Sequence, residues 1–313
     1  MQAVNNFVFF FQNNGENLLE EQYKGRKIYT QHKHKIKKNM ETKDGNNSLK
    51  ATNSAGSTKK HFVLVHGACH GAWSWYKLTP LLKSAGHRVT VLDMAGAGIN
   101  PKQVNDVQSF SDYVQPLMDF MEHSLPNCKS IKQEEKVILV GHSMGGLVIS
   151  KAMEAFPEKI SVAVFLTALL PNMLPEFKFP DVFKEGFRGD AIYNYDEGAK
   201  TFVFGPCYML SNLYELCSPE DATLAAMLVR PIRVFSNEHM SEEMTTSKQK
   251  YGSVKRVYII AELDKTLTRD FQCWTIEKDP VDEVREIIGS DHMVMMCKPQ
   301  ELFACLHEIA EEA

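Results

Sequence analysis

A serine set between glycines, at the end of an apolar run, is where this chain first suggests chemistry. Lys136-Val-Ile-Leu-Val-Gly-His-Ser143-Met-Gly-Gly-Leu-Val-Ile-Ser-Lys passes from a strand-forming stretch through Gly141-His142-Ser143-Met144-Gly145 into a helix-compatible segment. In that context G-x-S-x-G reads as a nucleophile elbow, a sharp strand-to-helix turn that lifts the serine hydroxyl to the carboxyl end of a sheet. Gly141 and Gly145 stand where the turn has no room for a Cβ. A serine hydroxyl attacks poorly until a base takes its proton and a carboxylate fixes that base's tautomer. Where such an elbow opens a helix, the acid and then the histidine follow the serine in the chain. Asp264, in Ala-Glu-Leu-Asp-Lys, and His292, in Gly-Ser-Asp-His-Met, have that order. Glu262 is the rival acid, closer to the preceding apolar run. Asp291 reads as a loop cap and His307, on the last helix, as a solvated histidine.

The acyl-transfer chemistry these groups imply needs an oxyanion hole. Its first donor is the amide after the nucleophile, Met144. Its second belongs to the loop after the first strand, His66-Gly67-Ala68-Cys69-His70-Gly71-Ala72-Trp73, where the Ala68 amide is the candidate. Gly67 allows substrate close to the backbone. Cys69 lacks any neighbouring pattern that would stabilise a thiolate. Trp73, Trp75 and Tyr76 read as packing for the following helix.

The elements that must hold these groups alternate. Strands are predicted at His61–His66, Arg88–Asp93, Lys136–Gly141, Ile160–Leu166, Val254–Ala261 and Val284–Ile288. Helices are predicted at Leu78–Gly86, Phe110–Leu125 and Gly145–Phe156. This is the pattern of a parallel sheet covered by helices on both faces. Asp264 and His292 then lie just past strand ends, where parallel-sheet sites gather. Between Leu170 and about Ser247 the alternation fails and Phe, Tyr, Met and Pro become dense. A hairpin turning near Gly198 and helices at Asn212–Leu216 and Pro219–Arg230 are expected there. The stretch at about 170–247 reads as an inserted cap, with Phe202, Phe204, Tyr208, Met209, Leu213 and Tyr214 as apolar lining or cap core.

A chain of 313 residues with 44% hydrophobic content supports a large single core. The apolar runs are too short to span a bilayer. Seven cysteines (69, 128, 207, 217, 273, 297, 305) form no C-x-x-C pair or zinc-finger spacing, so reduced thiols in a cytoplasmic protein are expected. No cofactor and no metal are expected. The net charge of −4 is unevenly spread, with 11 Lys/Arg against 5 Asp/Glu in the first 60 residues and 24 against 34 in the rest. The acidic remainder argues against nucleic-acid binding. Residues 1–58, rich in Asn, Gln, Lys and Ser, read as a disordered extension ahead of a domain at 59–313.

Several long motifs carry a family resemblance. They are His61-Phe-Val-Leu-Val-His-Gly-Ala-Cys-His-Gly-Ala-Trp-Ser-Trp-Tyr-Lys-Leu, Gly141-His-Ser-Met-Gly-Gly, Leu213-Tyr-Glu-Leu-Cys-Ser-Pro-Glu-Asp, Leu228-Val-Arg-Pro, Tyr251-Gly-Ser-Val-Lys-Arg-Val-Tyr-Ile and Asp291-His-Met. From His61 onward the chain resembles the plant methylesterase and hydroxynitrile lyase family of α/β-hydrolases. That group includes methyl esterases of the salicylate and jasmonate types and alkaloid esterases of the polyneuridine aldehyde type. The resemblance implies an α/β-hydrolase fold with Ser143, Asp264 and His292 as triad and Ala68 and Met144 as oxyanion donors. It also implies a small-molecule ester substrate of plant specialised metabolism, no nucleic-acid or membrane partner, and a homodimer as the alternative to a monomer. The stretch from Leu170 to Phe204 departs from the salicylate-type pattern, being shorter and without tryptophan. Family lyases carry a threonine in the oxyanion loop and a lysine after the histidine; Gly67 and Met293 stand there here. With no ammonium to stabilise a departing cyanide, hydrolysis is expected over cyanohydrin cleavage, and an intact triad argues against a non-catalytic receptor. The expected reaction is hydrolysis of hormone-type or alkaloid carbomethoxy esters, with decarboxylation following where the freed acid is a β-keto or β-aldehyde acid. Gly67, Phe202, Tyr208, Leu213 and Met293 are the candidate substrate contacts.

Overall fold

Runs of five to nine residues rich in Val, Ile and Leu form the strands of the main sheet. The computed structural model describes residues 59–124, 136–176, 190, 192–196 and 199–313. The extension expected at 1–58, and Cys128, lie outside the described residues. The chain opens with β1 (His61–Val65), α1 (Leu78–Ser84), β2 (Arg88–Leu92) and α2 (Phe110–Asp119). β3 (Val137–Ser143), α3 (Gly145–Ala155) and β4 (Ile160–Ala168) follow. An excursion then carries β5 (Ile192–Asp196), β6 (Ala199–Val203), α4 (Pro219–Leu228), β7 (Ile232–Arg233) and α5 (Asn237–Glu243). β8 (Lys255–Ala261), α6 (Arg269–Lys278), β9 (Glu283–Ile287), α7 (Val294–Cys297) and α8 (Pro299–Glu311) complete it.

The main sheet has the order β2-β1-β3-β4-β8-β9, and every neighbouring pair is parallel. β1, β3 and nearly all of β4 are buried on both faces, which their unbroken apolar runs require, whereas the edge strands β2 and β9 are partly exposed. Helices α1 and α8 pack together, as do α2 and α3. The chain leaves β1 toward one edge to make β2, then returns to β3 on the other side of β1. The loops after β1 and β3 therefore diverge and open a crevice at the carboxyl ends of the strands, the usual place for a ligand in such a sheet.

Two expected elements differ in extent. The helix expected at Phe110–Leu125 is α-helical only to Asp119, with a π-helical turn over Phe120–Ser124. The helix expected at Asn212–Leu216 lies earlier: a π-helical turn covers Met209–Leu213, closed by the Tyr214 amide donating to the Met209 carbonyl at 2.8 Å. Beyond Tyr214 the chain turns out of the helix, and the Leu216 amide donates to Asp291 instead at 2.8 Å. The expected hairpin is present: β5 and β6 pair antiparallel from Ile192↔Val203 to Asp196↔Ala199, and β7 adds a third strand. Helix α4 starts on a capping box, Ser218 accepting from the Asp221 amide, with Pro219 at the first helical position.

Candidate active site

The elbow takes the geometry its glycines permit. Ser143 has φ of 54°, a left-handed conformation that a non-glycine residue adopts at a cost of about 1–3 kcal/mol. Packing holds it there. A Cβ on Gly141 would lie 2.5 Å from the Gly145 carbonyl oxygen, and one on Gly145 would lie 2.8 Å from those of Val65 and His66. β3 and α3 can meet at this angle only with hydrogen at both positions. The Met144 amide opens α3, where the first N–H groups of a helix have no acceptor within it.

The loop after β1 lies directly against the serine. A Cβ on Gly67 would come 2.9 Å from the Ser143 Cβ and 3.1 Å from His142 Nδ1, so the absence of a side chain lets the loop lie this close to the nucleophile. His66 Nδ1 donates to the Gly67 carbonyl at 2.8 Å while its Nε2 accepts from the Met94 amide at 3.1 Å. In a planar trans peptide the carbonyl and the following N–H point in opposite directions. Pinning the Gly67 oxygen therefore aims the Ala68 N–H.

His292 and Asp264 meet as their order in the chain suggested. His292 Nδ1 bonds Asp264 Oδ2 at 2.7 Å, with both residues buried. Oδ2 also accepts from the Thr167 hydroxyl at 2.6 Å, and Oδ1 accepts from the Thr266 and Leu267 amides at 2.7 and 2.9 Å. A carboxylate accepting from so many donors is held in one orientation. His142 braces the other partner: its Nε2 donates to the His292 carbonyl at 2.9 Å, and the two rings lie 4.7 Å apart. Ser143 ends β3, Asp264 lies three residues past β8 and His292 five past β9, all at carboxyl ends.

The rivals are occupied elsewhere. Glu262 accepts from the Gly289 amide at 2.7 Å. Asp291 accepts from the Leu216 and Met293 amides at 2.8 and 3.0 Å, as a loop cap should. His307 is not simply solvated, since its Nδ1 lies 2.9 Å from His87 Nε2 and it is half-buried. The Cys69 thiol is buried, pushed up to about 12, and 3.5 Å from the Phe202 carbonyl. Buried Cys217 and half-buried Cys297 cluster with buried Asp291, their sulfur and oxygen atoms within 4.8 Å of one another. Burial pushes the Cys217 thiol up; at Cys297 the hydrogen bond from Cys217 pulls the thiol down, but burial and the Asp291 charge outweigh it.

Of the candidate substrate contacts, Gly67 abuts the serine and Met293, following His292, is fully buried. Tyr208 reaches Thr266, two residues past Asp264, with its hydroxyl at 3.2 Å. The Phe202 ring packs on Phe204, their centroids 4.8 Å apart, and Leu213 is fully buried in the hydrophobic core. The sequence reading singles out none of Thr167, His66, His70 and His142, although the three histidines each sit within a motif that it does.

Comparison with known proteins gives the family. A model of the alpha/beta hydrolase family matches residues 62–304. The chain belongs to that family, and it is an enzyme of the ester-hydrolysing kind. It is 48% identical to methyl jasmonate esterase 1 of Vitis vinifera over 263 residues, covering 81% of this chain and 97% of that one. It is 42% identical to polyneuridine aldehyde esterase of Rauvolfia serpentina, covering 82% and 99%. Among solved structures, tomato methylketone synthase I complexed with 2-tridecanone superposes with a TM-score of 0.74 at 47% identity, covering 82% and 99%. No helix among the described residues is long and apolar enough to cross a membrane.

Buried histidines give the fold an acid limit. Burial lowers His70 to about 3, and burial with the Arg88 charge lowers His61 to about 4. Burial likewise lowers His66, and takes His142 well below the ordinary range. These rings stay neutral in the fold, whereas an unfolded chain protonates them near pH 6.5. Below that pH the unfolded state binds more protons, so stability falls with acid. The unfolding free energy should be level above about pH 7 and drop on going from about pH 6.5 toward 4, each histidine removing up to about 1.4 kcal/mol per pH unit. Urea denaturation at stepped pH measures this, and a level profile down to about pH 4.5 contradicts it.

Proposed function

We propose that Ser143, His292 and Asp264 hydrolyse carboxylic methyl esters through an acyl-enzyme. His292 Nε2 takes the Ser143 proton as Oγ attacks the ester carbonyl, and Asp264 holds Nδ1–H and offsets the imidazolium charge. The Ala68 and Met144 amides receive the oxyanion. Collapse expels methoxide, which leaves as methanol with the proton from His292. Water, deprotonated by the same ring, then releases the acid and restores the serine. The balance is one ester and one water to one acid and one methanol.

The observation that carries this reading is the buried 2.7 Å pairing of His292 Nδ1 with Asp264, placed after a strained serine elbow in the chain order that accompanies such an elbow. The similarity to a methyl jasmonate esterase and to polyneuridine aldehyde esterase supports a methyl ester of a small plant metabolite as substrate. Phe202, Tyr208 and Leu213 would supply an apolar wall for the acid portion, with Gly67 and Met293 beside the reacting carbon. Aromatic or alkaloid methyl esters should therefore be cleaved faster than long-chain lipid esters. A panel of both classes, read by mass spectrometry of the freed acids, checks this; preference for the long-chain esters contradicts it.

A further inference from the structure

The turn that presents Ala68 is strained. Cys69, the next residue, has φ of 63°. A buried non-glycine residue keeps such a conformation only where its surroundings enforce it. Two histidines hold the peptides on either side of the Ala68 Cα. His66 pins the carbonyl of the peptide that bears the Ala68 amide, and His70 Nδ1 donates to the Ala68 carbonyl at 2.8 Å.

His70 is in turn oriented from the excursion. A neutral imidazole has one donor nitrogen and one acceptor nitrogen. With Nδ1 donating to a carbonyl, Nε2 must accept, and the Tyr214 hydroxyl meets it at 2.6 Å. The two rings stack with centroids 5.9 Å apart and planes 18° from parallel. Tyr214 is fully buried and His70 nearly so, so water does not compete for this bond. The residues just after Tyr214 reach the other half of the site. The Leu216 amide and Cys217 thiol bond Asp291, the neighbour of His292, at 2.8 and 3.4 Å. One short irregular segment thus bonds both loops that carry the proposed machinery.

We infer that Tyr214 is a positioning residue for the oxyanion hole, fixing the Ala68 turn through His70. The inference rests on the ester-hydrolysis reading above. Tyr214→Phe keeps the stacked ring and removes only the hydroxyl. Loss of orientation at one donor should weaken binding of the oxyanion and leave binding of the ground state alone. The kcat for a methyl ester is expected to fall about 10- to 100-fold with KM within about twofold. Affinity for a trifluoromethyl ketone, which forms an oxyanion on the serine, should fall by the same factor, while affinity for the product acid stays unchanged. His70→Ala should show the same split, and Tyr214→Phe on top of it should add nothing. A Tyr214→Phe enzyme with unaltered kcat and ketone affinity, or losses that multiply in the double variant, would overturn the proposal. So would His70→Ala with unaltered kcat, even where Tyr214→Phe does not fold by thermal melting. Fluorophosphonate labelling of the unsubstituted protein separates the two readings. Labelling and hydrolysis without the split overturn only the role of Tyr214; their absence overturns ester hydrolysis itself.

Discussion

Replacing Ser143 with alanine is expected to lower kcat by about 10⁴- to 10⁶-fold, the scale seen when the nucleophile of a serine hydrolase is removed. No other described group stands ready to attack. Cys69 is the nearest chemical substitute, but its thiol is buried, pushed up to about 12, and follows a strained backbone step. The substitution keeps the Cβ, and the turn is enforced by Gly141 and Gly145 rather than by the hydroxyl, so the fold should survive. Steady-state turnover of a methyl ester, with thermal melting as a check on folding, measures it. Hydrolysis within tenfold of the unsubstituted enzyme by a folded variant would mean another nucleophile.

Asp264→Asn should cost about 10⁴-fold in kcat, because an amide favours the wrong histidine tautomer. In the native site the Thr167 hydroxyl and the Thr266 and Leu267 amides all donate to this carboxylate, leaving His292 Nδ1 to donate as well. An asparagine oxygen can keep the two backbone amides, which turns its NH₂ toward Thr167 and His292. Nδ1 must then accept, Nε2 carries the proton, and the ring cannot take one from serine. The Thr167 hydroxyl can rotate to accept, so the loss should fall mainly on kcat. Kinetics of the folded variant with kcat within tenfold of the native value would remove Asp264 from the proposed role.

Much of this site was legible because each part announces itself locally. The elbow is contiguous, Asp264 follows the apolar run of a buried strand, and His292 follows the alternating Val284–Ile288 stretch of an edge strand. The alternation of those runs also defined the parallel sheet. What stayed hidden depends on pairs far apart in the chain. Thr167 is 97 residues from Asp264, and Tyr214 is 144 from His70, with nothing in the local pattern to connect them. The shorter helix near Asn212 has the same origin: Tyr214–Cys217 has helix-compatible composition, but the Leu216 amide is taken by Asp291, 75 residues on. His307 was read as solvated because the facing His87 lies 220 residues away.

The proposed reaction turns on acylation of Ser143 during turnover. Titration with a fluorophosphonate, followed in parallel by residual methyl-ester hydrolysis and by peptide mapping in a mass spectrometer, tests it most directly. The account predicts one phosphonyl group per chain, on the peptide containing Ser143, with activity falling in proportion to that label. Activity that persists in fully labelled protein, or is lost with the label on a different residue, would contradict it.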